Sequence, residues 1–600
     1  MKNNKRFFLL FVSVILVGGL LHASCQDSEK NSAAGVYPQD KSSVALEWPG
    51  DPLPALANPA RDRPRKINIR GVVKNAVSLE RPVELGPCKE GKVLRASLGL
   101  VPGNATGPVE FRFACGDKSE KFEADPGSEE AWKNVSSSLC PCEEGIRVSA
   151  APPKAGAWLG HPSFENNESP RLVVFLLIDA LRADVLGAYG NSPSPSPEID
   201  KMASQGALFD KAYTSSPFTL TSVASIFTGA YPWQHKVMFS SEAGLVLSDP
   251  VPKLVEKFQN AGYHTAAFSG TYFFMSRNGY AEGFDHFDET CAGAFFRESA
   301  ACLNKRMVPW IKHHRNRDVF LYIHYVDPHA PYYPPEKYRQ KHVGSMDKPF
   351  FDDVALGEIG QFGSHRAWYQ FWRSPSEYDL KYLRALYLSE VEYIDEKAGN
   401  LISELRSYWS GAGQGNGETL FLVTADHGEA FYEHGAMDHV ADIHEPVMRV
   451  PFIMFGDGVP QGKVINEQVR TIDFMPTLLD LSGLSAEGNI PGRSLKPLLR
   501  GEKMETAPAA AVHFLGMDPE YALVKWPWKL FSRPADGEFE LYDLEKDPVE
   551  KNNLAEQKPG KQKEMERLLE GILDLPELGR EEKAEPVDRQ TQDRLKALGY

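Results

Sequence analysis

Three textures of hydrophobic patterning follow one another along the 600 residues. Residues 7–21 form an unbroken apolar-to-small run behind Lys2, Lys5 and Arg6. Residues 66–155 then alternate apolar and polar side chains, as in Val93-Leu94-Arg95-Ala96-Ser97-Leu98 and Val109-Glu110-Phe111-Arg112-Phe113. That is the period of a half-buried strand, and Gly and Pro turns interrupt it about every ten residues, which predicts a β-sandwich-like N-terminal module over 66–160. From residue 170 the runs become continuous: Leu172-Val173-Val174-Phe175-Leu176-Leu177-Ile178, Val319-Phe320-Leu321-Tyr322-Ile323 and Thr419-Leu420-Phe421-Leu422-Val423-Thr424. Continuous apolar strands are buried on both faces. Helical periods over 251–261 and 390–405 lie between them. The alternation predicts an α/β domain over 170–500, with a large, mostly parallel sheet sandwiched by helices. A small C-terminal α+β subdomain over 501–560 and a helical tail over 561–600 complete the expected order.

Charge and cysteines place the chain. Lys+Arg number 66 and Asp+Glu 81, a net −15 that argues against nucleic acid as a partner. The fifteen apolar-to-small residues at 7–21 fall short of the roughly 20 that span a bilayer, so residues 1–24 read as a signal peptide. Leu21-His22-Ala23-Ser24-Cys25 resembles a bacterial lipoprotein cleavage site, with His22 where an aliphatic residue is usual; plain cleavage near Ala23 is the alternative. The expected destination is the bacterial cell envelope, periplasmic or outer surface, with the chain held to the membrane by lipid on Cys25. Residues 25–65, rich in Ser, Pro, Asp and Ala, would be the tether. Six further cysteines suit three disulfides in an oxidising compartment. Cys291 and Cys302 are expected to bridge, whereas the pairing among Cys88, Cys115, Cys140 and Cys142 stays open. Cys140-Pro141-Cys142 has no histidine following nearby, which favours disulfides over a metal knuckle.

Polar residues gather where the buried runs end, which is where open α/β sheets bind ligands. The first run ends in Asp179, the second leads through His324 to Asp327-Pro328-His329, and the third ends in Asp426-His427-Gly428-Glu429. Carboxylates and imidazoles at three strand ends point to a metal site. Asp179 after its strand, Tyr189-Gly190, Thr424 to Glu429, Glu433-His434-Gly435 and Asp327 to Tyr332 together resemble the sulfatase family of the alkaline phosphatase superfamily. Val450-Pro451, Asp473 to Thr477, Gly492 to Leu495 and Leu541 to Leu544 with Asp547-Pro548 extend the resemblance over residues 170–560. It implies an alkaline-phosphatase-like sandwich whose C-terminal subdomain carries a four-stranded antiparallel sheet.

The resemblance also carries site roles, and the chain departs from it at the reactive segment. Family sulfatases carry a Cys or Ser in a Cys/Ser-x-Pro-x-Arg motif, and that residue is oxidised to formylglycine. Here Thr219 stands at that position, Thr221 replaces the Pro and Val223 the Arg. A threonine would leave a methyl group on the oxidised carbon, so Thr219 is expected to act unmodified, which favours phosphomonoester or phosphodiester hydrolysis or transfer over formylglycine chemistry. Ala180 replaces a second Asp common in the family, and Asp184 reads as structural. The implied metal set is Asp179, Asp426 and His427 with the Thr219 hydroxyl, holding one divalent ion, Ca²⁺, Mn²⁺ or Zn²⁺. His329 and His439 are the implied catalytic acids, His235 and His434 the implied substrate contacts, and His444 a packing residue. The expected substrate is an anionic sulfate or phosphate ester. The alternative is a surface glycan-binding lipoprotein with a degenerate sulfatase domain.

Overall fold

The computed structural model describes residues 65–580 apart from short internal segments, the longest being 348–374. The expected leader, Cys25, nearly all of the tether and the end of the tail lie outside the described residues.

Each continuous apolar run forms a strand at the middle of one sheet. Glu418–Thr424, Arg171–Ile178, Val319–Tyr325, His264–Ser269 and His286–Asp288 stand side by side in parallel register. Leu172 to Ile178 are at most 3% exposed, because helices cover both faces. On one face the helices Thr219–Thr228, Leu254–Asn260 and Phe474–Leu481 pack together, with Phe227 and Phe474 against Phe175. On the other, the 33-residue helix Glu377–Trp409 packs with Pro197–Ser204, Ser299–His314 and Glu336–His342.

The flanks join through antiparallel pairs, with Lys463–Arg470 added parallel to Gly206–Tyr213, which makes the whole sheet mixed around its parallel centre. Phe452–Gly456 pairs antiparallel with both Glu418–Thr424 and Gly206–Tyr213. On the opposite side Val72–Ser78 pairs antiparallel with His286–Asp288 and leads on to Ala157–Glu165, Val93–Leu100 and Trp132–Ser137. No crossover helices separate these N-terminal strands, so they pair as antiparallel neighbours. One 14-stranded sheet therefore runs from the parallel centre into the N-terminal strands. A second sheet of Val83–Glu84, Arg147–Ala151, Val109–Cys115 and Lys118–Ala124 faces it across a core of Leu94, Leu98, Phe111, Phe113, Val148 and Leu159. Cys88–Cys140 and Cys115–Cys142 cross-link this sandwich, and Cys291 bridges Cys302 as expected.

Ala509–His513, Glu520–Lys525, Trp528–Arg533 and Glu538–Asp543 form the four-stranded antiparallel sheet that the resemblance implies. The helix Pro559–Leu573 covers it through Met565 and Leu569. The edge strand of this sheet reaches the segment that leads into Thr219, where the Val512 N–H donates to the Ser215 carbonyl at 3.1 Å.

Candidate active site

Parallel strands deliver their C-terminal ends to one rim, and the polar residues meet there. Asp179 continues the ladder past Ile178, its N–H donating to the Tyr325 carbonyl at 2.9 Å. Two and three residues beyond the neighbouring strand stand Asp426 and His427, both wholly buried. Thr219 opens the helix Thr219–Thr228 and is 3% exposed. That helix ends on Gly229 at φ +66°, a left-handed cap that glycine adopts without strain. Its N-terminal end presents the positive end of the helix dipole beside Thr219.

One nitrogen organises the cluster. His427 Nδ1–H donates to the Gly428 carbonyl at 2.9 Å, which leaves the lone pair on Nε2. Nε2 lies 3.3 Å from Thr219 Oγ1, 3.5 Å from Asp179 Oδ1 and 3.4 Å from Asp426 Oδ2. Asp426 Oδ1 accepts the N–H groups of Ala180 and His427, at 3.3 and 3.0 Å. Asp179 Oδ1 and Asp426 Oδ2 are buried and accept no hydrogen bond from any described residue. Donor atoms of Asp179, Asp426 and His427 all lie within 4.8 Å of one another. Burial and then the neighbouring Asp426 drive the Asp179 carboxyl well above the usual carboxylate range. Burial acts on Asp426 in the same sense, but His427, His324 and His439 outweigh it and hold that carboxyl low. Two buried oxygens without donors beside a lone-pair nitrogen fit a divalent cation, whose charge would relieve this repulsion.

A second cluster forms the wall. The His439 ring stacks on His427 with centroids 4.0 Å apart, and His329 lies 4.9 Å from His439. His439 Nδ1 is paired with Asp438, with Glu429 Oε2 at 3.7 Å. Burial works against a charged His439, yet Asp438 and Glu429 raise its pKa well above the ordinary imidazole value. Burial, then Asp438, pushes Glu429 up to about 7. Asp438 sits at φ +69°, which is strained for a residue with a Cβ. His329 Nδ1–H donates to the Ala330 carbonyl.

The structure does not bring the other two named histidines to this point. His235 is fully buried with both nitrogens engaged, Nε2 with Ser225 Oγ at 2.9 Å and Nδ1 with the Val237 N–H at 3.0 Å. It has no nitrogen left for a substrate, and burial lowers its pKa to about 3. His434 stacks on His444 at 3.6 Å and lines a separate cavity of about 600 Å³ with Arg182, Arg449 and Trp526. His444 also bonds Asp442 and packs on Phe531, and Asp184 pairs with Arg182, as structural residues do. The guanidinium of Arg182 is taken up by Asp184, Glu433 and the Glu429 carbonyl. The sequence names Glu429 only as the close of its strand-end motif, with no role attached, and does not mark Asp438 at all. Glu429 follows His427 by two residues, and Asp438 precedes His439, so the signal was the acidic company of two chosen histidines.

Comparison with known proteins identifies the family. The family model described as Sulfatase matches residues 171–484, and that of the N-sulphoglucosamine sulphohydrolase C-terminal region matches 432–575. An arylsulfatase of Clostridium perfringens is 27% identical over 440 residues, covering 64% of this chain and 89% of that protein. A Delta 4,5-hexuronate-2-O-sulfatase of Bacteroides thetaiotaomicron is 26% identical over 421 residues, covering 64% and 84%. Among solved structures, a 2-O GAG sulfatase aligns with TM-score 0.55 at 24% identity, covering 68% of this chain and 92% of that one. The phosphonate monoester hydrolase of Agrobacterium radiobacter aligns with TM-score 0.55 at 19% identity, covering 67% and 95%. With more than half of its length matched by the family model, the chain belongs to the sulfatase family of hydrolases.

Proposed function

We propose that this protein is a metal-dependent hydrolase of anionic esters in which Thr219 is the unmodified nucleophile. The observation that carries the reading is the Thr219 hydroxyl, buried at the head of its helix and 3.3 Å from His427 Nε2. Asp179, Asp426 and His427 would hold one divalent ion together with Thr219 Oγ1; Ca²⁺, Mn²⁺ and Zn²⁺ all suit mixed oxygen and imidazole donors. The ion would lower the hydroxyl pKa and stabilise charge on the transferring group. Thr219 Oγ, its proton released to solvent, attacks phosphorus or sulfur and forms a threonyl ester as the bond to the leaving oxygen breaks. His439, held and charged by Asp438 and Glu429, donates a proton to that oxygen, with His329 beside it. Water then cleaves the threonyl ester and restores the hydroxyl.

The methyl group on Thr219 Cβ favours phosphate or phosphonate esters, since formylglycine cannot form there. The relatives' names favour sulfate, and one structural relative is described in complex with a glucosamine disulfate substrate. The three disulfides accord with export to an oxidising compartment, and the Leu21-to-Cys25 sequence supports a lipid anchor on Cys25. The second reading, a glycan-binding protein with a degenerate catalytic domain, is favoured by Val223 in place of the motif arginine. The deciding experiment assays sulfate monoesters, phosphate monoesters, phosphodiesters and phosphonate monoesters after reconstitution with each metal. Turnover of a phospho or phosphonate ester that falls by several orders of magnitude in Thr219→Ala, with metal still bound, is expected. A metal-loaded parent inactive on all four classes would favour the binding protein.

A further inference from the structure

One imidazole at the strand ends is not used by this mechanism. Leu177 pairs in register with His324, so Phe175, Leu177 and Asp179 share a sheet face with Tyr322 and His324. The nucleophile helix covers that face through Phe227, which packs on both Phe175 and Tyr322. His324 and Tyr322 are wholly buried. Tyr322 Oη lies 2.9 Å from His324 Nδ1. His324 Nε2 faces Asp179 Oδ2 at 3.6 Å and has no closer hydrogen-bond partner among the described residues. It does not join the donors of Asp179, Asp426 and His427 that lie within 4.8 Å of one another, so it stands behind the metal set.

Resting on the reading of Asp179 as a metal ligand, we propose that Tyr322 and His324 form a positioning relay that aims one oxygen of Asp179 at the cation. The buried phenol O–H has His324 Nδ1 as its acceptor, and that bond puts the imidazole proton on Nε2. Nε2–H then faces Asp179 Oδ2. Oδ1 is left over, and it is the oxygen directed at His427 Nε2. The relay explains why an imidazole sits at the end of an otherwise apolar and aromatic strand. It also gives this chain a means of orienting a carboxylate that lacks the second aspartate at position 180. Groups that orient metal ligands contribute to affinity without touching the ion.

The test is Mn²⁺ binding to the exported full chain, followed by the paramagnetic resonance signal of free ion, with metal-free melting measured alongside. His324→Ala should weaken Mn²⁺ binding about 10- to 100-fold, and Tyr322→Phe, which keeps the ring and its packing, several-fold. His324→Gln, whose side-chain amide can still donate toward Asp179, should recover part of the loss. In the Tyr322→Phe background, His324→Ala should cost less than it does alone, because the two act as one unit. Affinities within twofold of the parent in Tyr322→Phe and both His324 variants, with only metal-free melting lowered, would overturn the relay and leave a packing role. A parent that binds no Mn²⁺ at all would instead overturn the metal reading of Asp179 itself, and the relay with it.

Discussion

Ser222 shares a helix with Thr219 and separates structural hydroxyls from reactive ones. Its Oγ donates to the Asp426 carbonyl at 2.8 Å and bonds Thr214 Oγ1 at 2.9 Å. Both partners are internal, so Ser222→Ala should cost about 1–3 kcal/mol of stability from groups left unsatisfied. Turnover per folded molecule should stay within about tenfold of the parent, in contrast to Thr219→Ala. Urea unfolding alongside steady-state kinetics reads both quantities, and loss of turnover without loss of stability would transfer the nucleophile to Ser222. At this scale the sequence was most informative where residues end a buried strand. Asp179, Asp426 and His427 follow apolar runs that could only be strands, and parallel pairing brings such ends together. His324 also stands just after its run, but no role attaches to it there, because nothing local shows which side chain it faces. Its placement on the face of Asp179 depends on register between two strands that begin nearly 150 residues apart, Arg171 against Val319. His235 was misplaced for a related reason: its partner Ser225 lies on the same local helical hairpin, and nothing in composition marks an imidazole as already satisfied.

Elements carry these residues, and one close approach shows how tightly. Gly428 follows His427 and supplies the carbonyl that fixes its tautomer. Its own N–H donates to the Val447 carbonyl at 2.8 Å. A Cβ at this position would lie 2.1 Å from the Pro446 carbonyl oxygen and 3.1 Å from its carbon. Backbone must move to admit it, and the segment that moves holds a proposed metal ligand. Gly428→Ala should lower stability by about 1–3 kcal/mol and weaken Mn²⁺ binding by more than tenfold. Unchanged melting and affinity would show that the two segments separate freely. Strands and helices were legible one by one from their periods, including the run that became Glu377–Trp409. The order of strands was not. Pairing of Val72–Ser78 with His286–Asp288 joins elements more than 200 residues apart, and alternation in a strand does not name its partner.

Over the whole molecule, the line where the N-terminal strands meet the parallel centre is rich in buried imidazoles. His264 stacks on His314 and lies tilted against His161, and Asp285 lies 3.3 Å from both His161 Nε2 and His264 Nδ1. Lys74, Arg95, Arg306 and Arg317 face the same cluster, along with His286 and His313. Burial, then the charge of His161, lowers His264 to about 4 against Asp285. Burial first, with Lys74 and His264 adding to it, drives His286 and His314 well below the usual imidazole value. The unfolded chain takes up protons near pH 6.5, and the folded one resists them. Stability from these groups is therefore complete above about pH 6.5 and is lost as pH falls through the folded values, at about 1.4 kcal/mol per pH unit for each histidine. The urea midpoint should drop steeply between pH 6.5 and 5, and His264→Gln should shallow the drop by about one proton. A slope identical in parent and variant would remove His264 from the account.

The continuity of the 14-stranded sheet changes what the N-terminal region can be used for. A sandwich joined to a catalytic unit by a linker is a cassette that can be trimmed, swapped or grafted. Here a cut before Arg171 would pass through a hydrogen-bonded ladder instead. It would strip His286–Asp288 of its outer partner, remove the Lys66 bond to the Ala281 carbonyl and that of Arg95 to the His313 carbonyl, and bare Phe287 and the histidine seam. Unpaired edge strands recruit other chains. A truncated catalytic fragment would self-associate through that edge, so the N-terminal strands serve as its built-in solubility cap, and a minimal enzyme designed from this chain has to keep them.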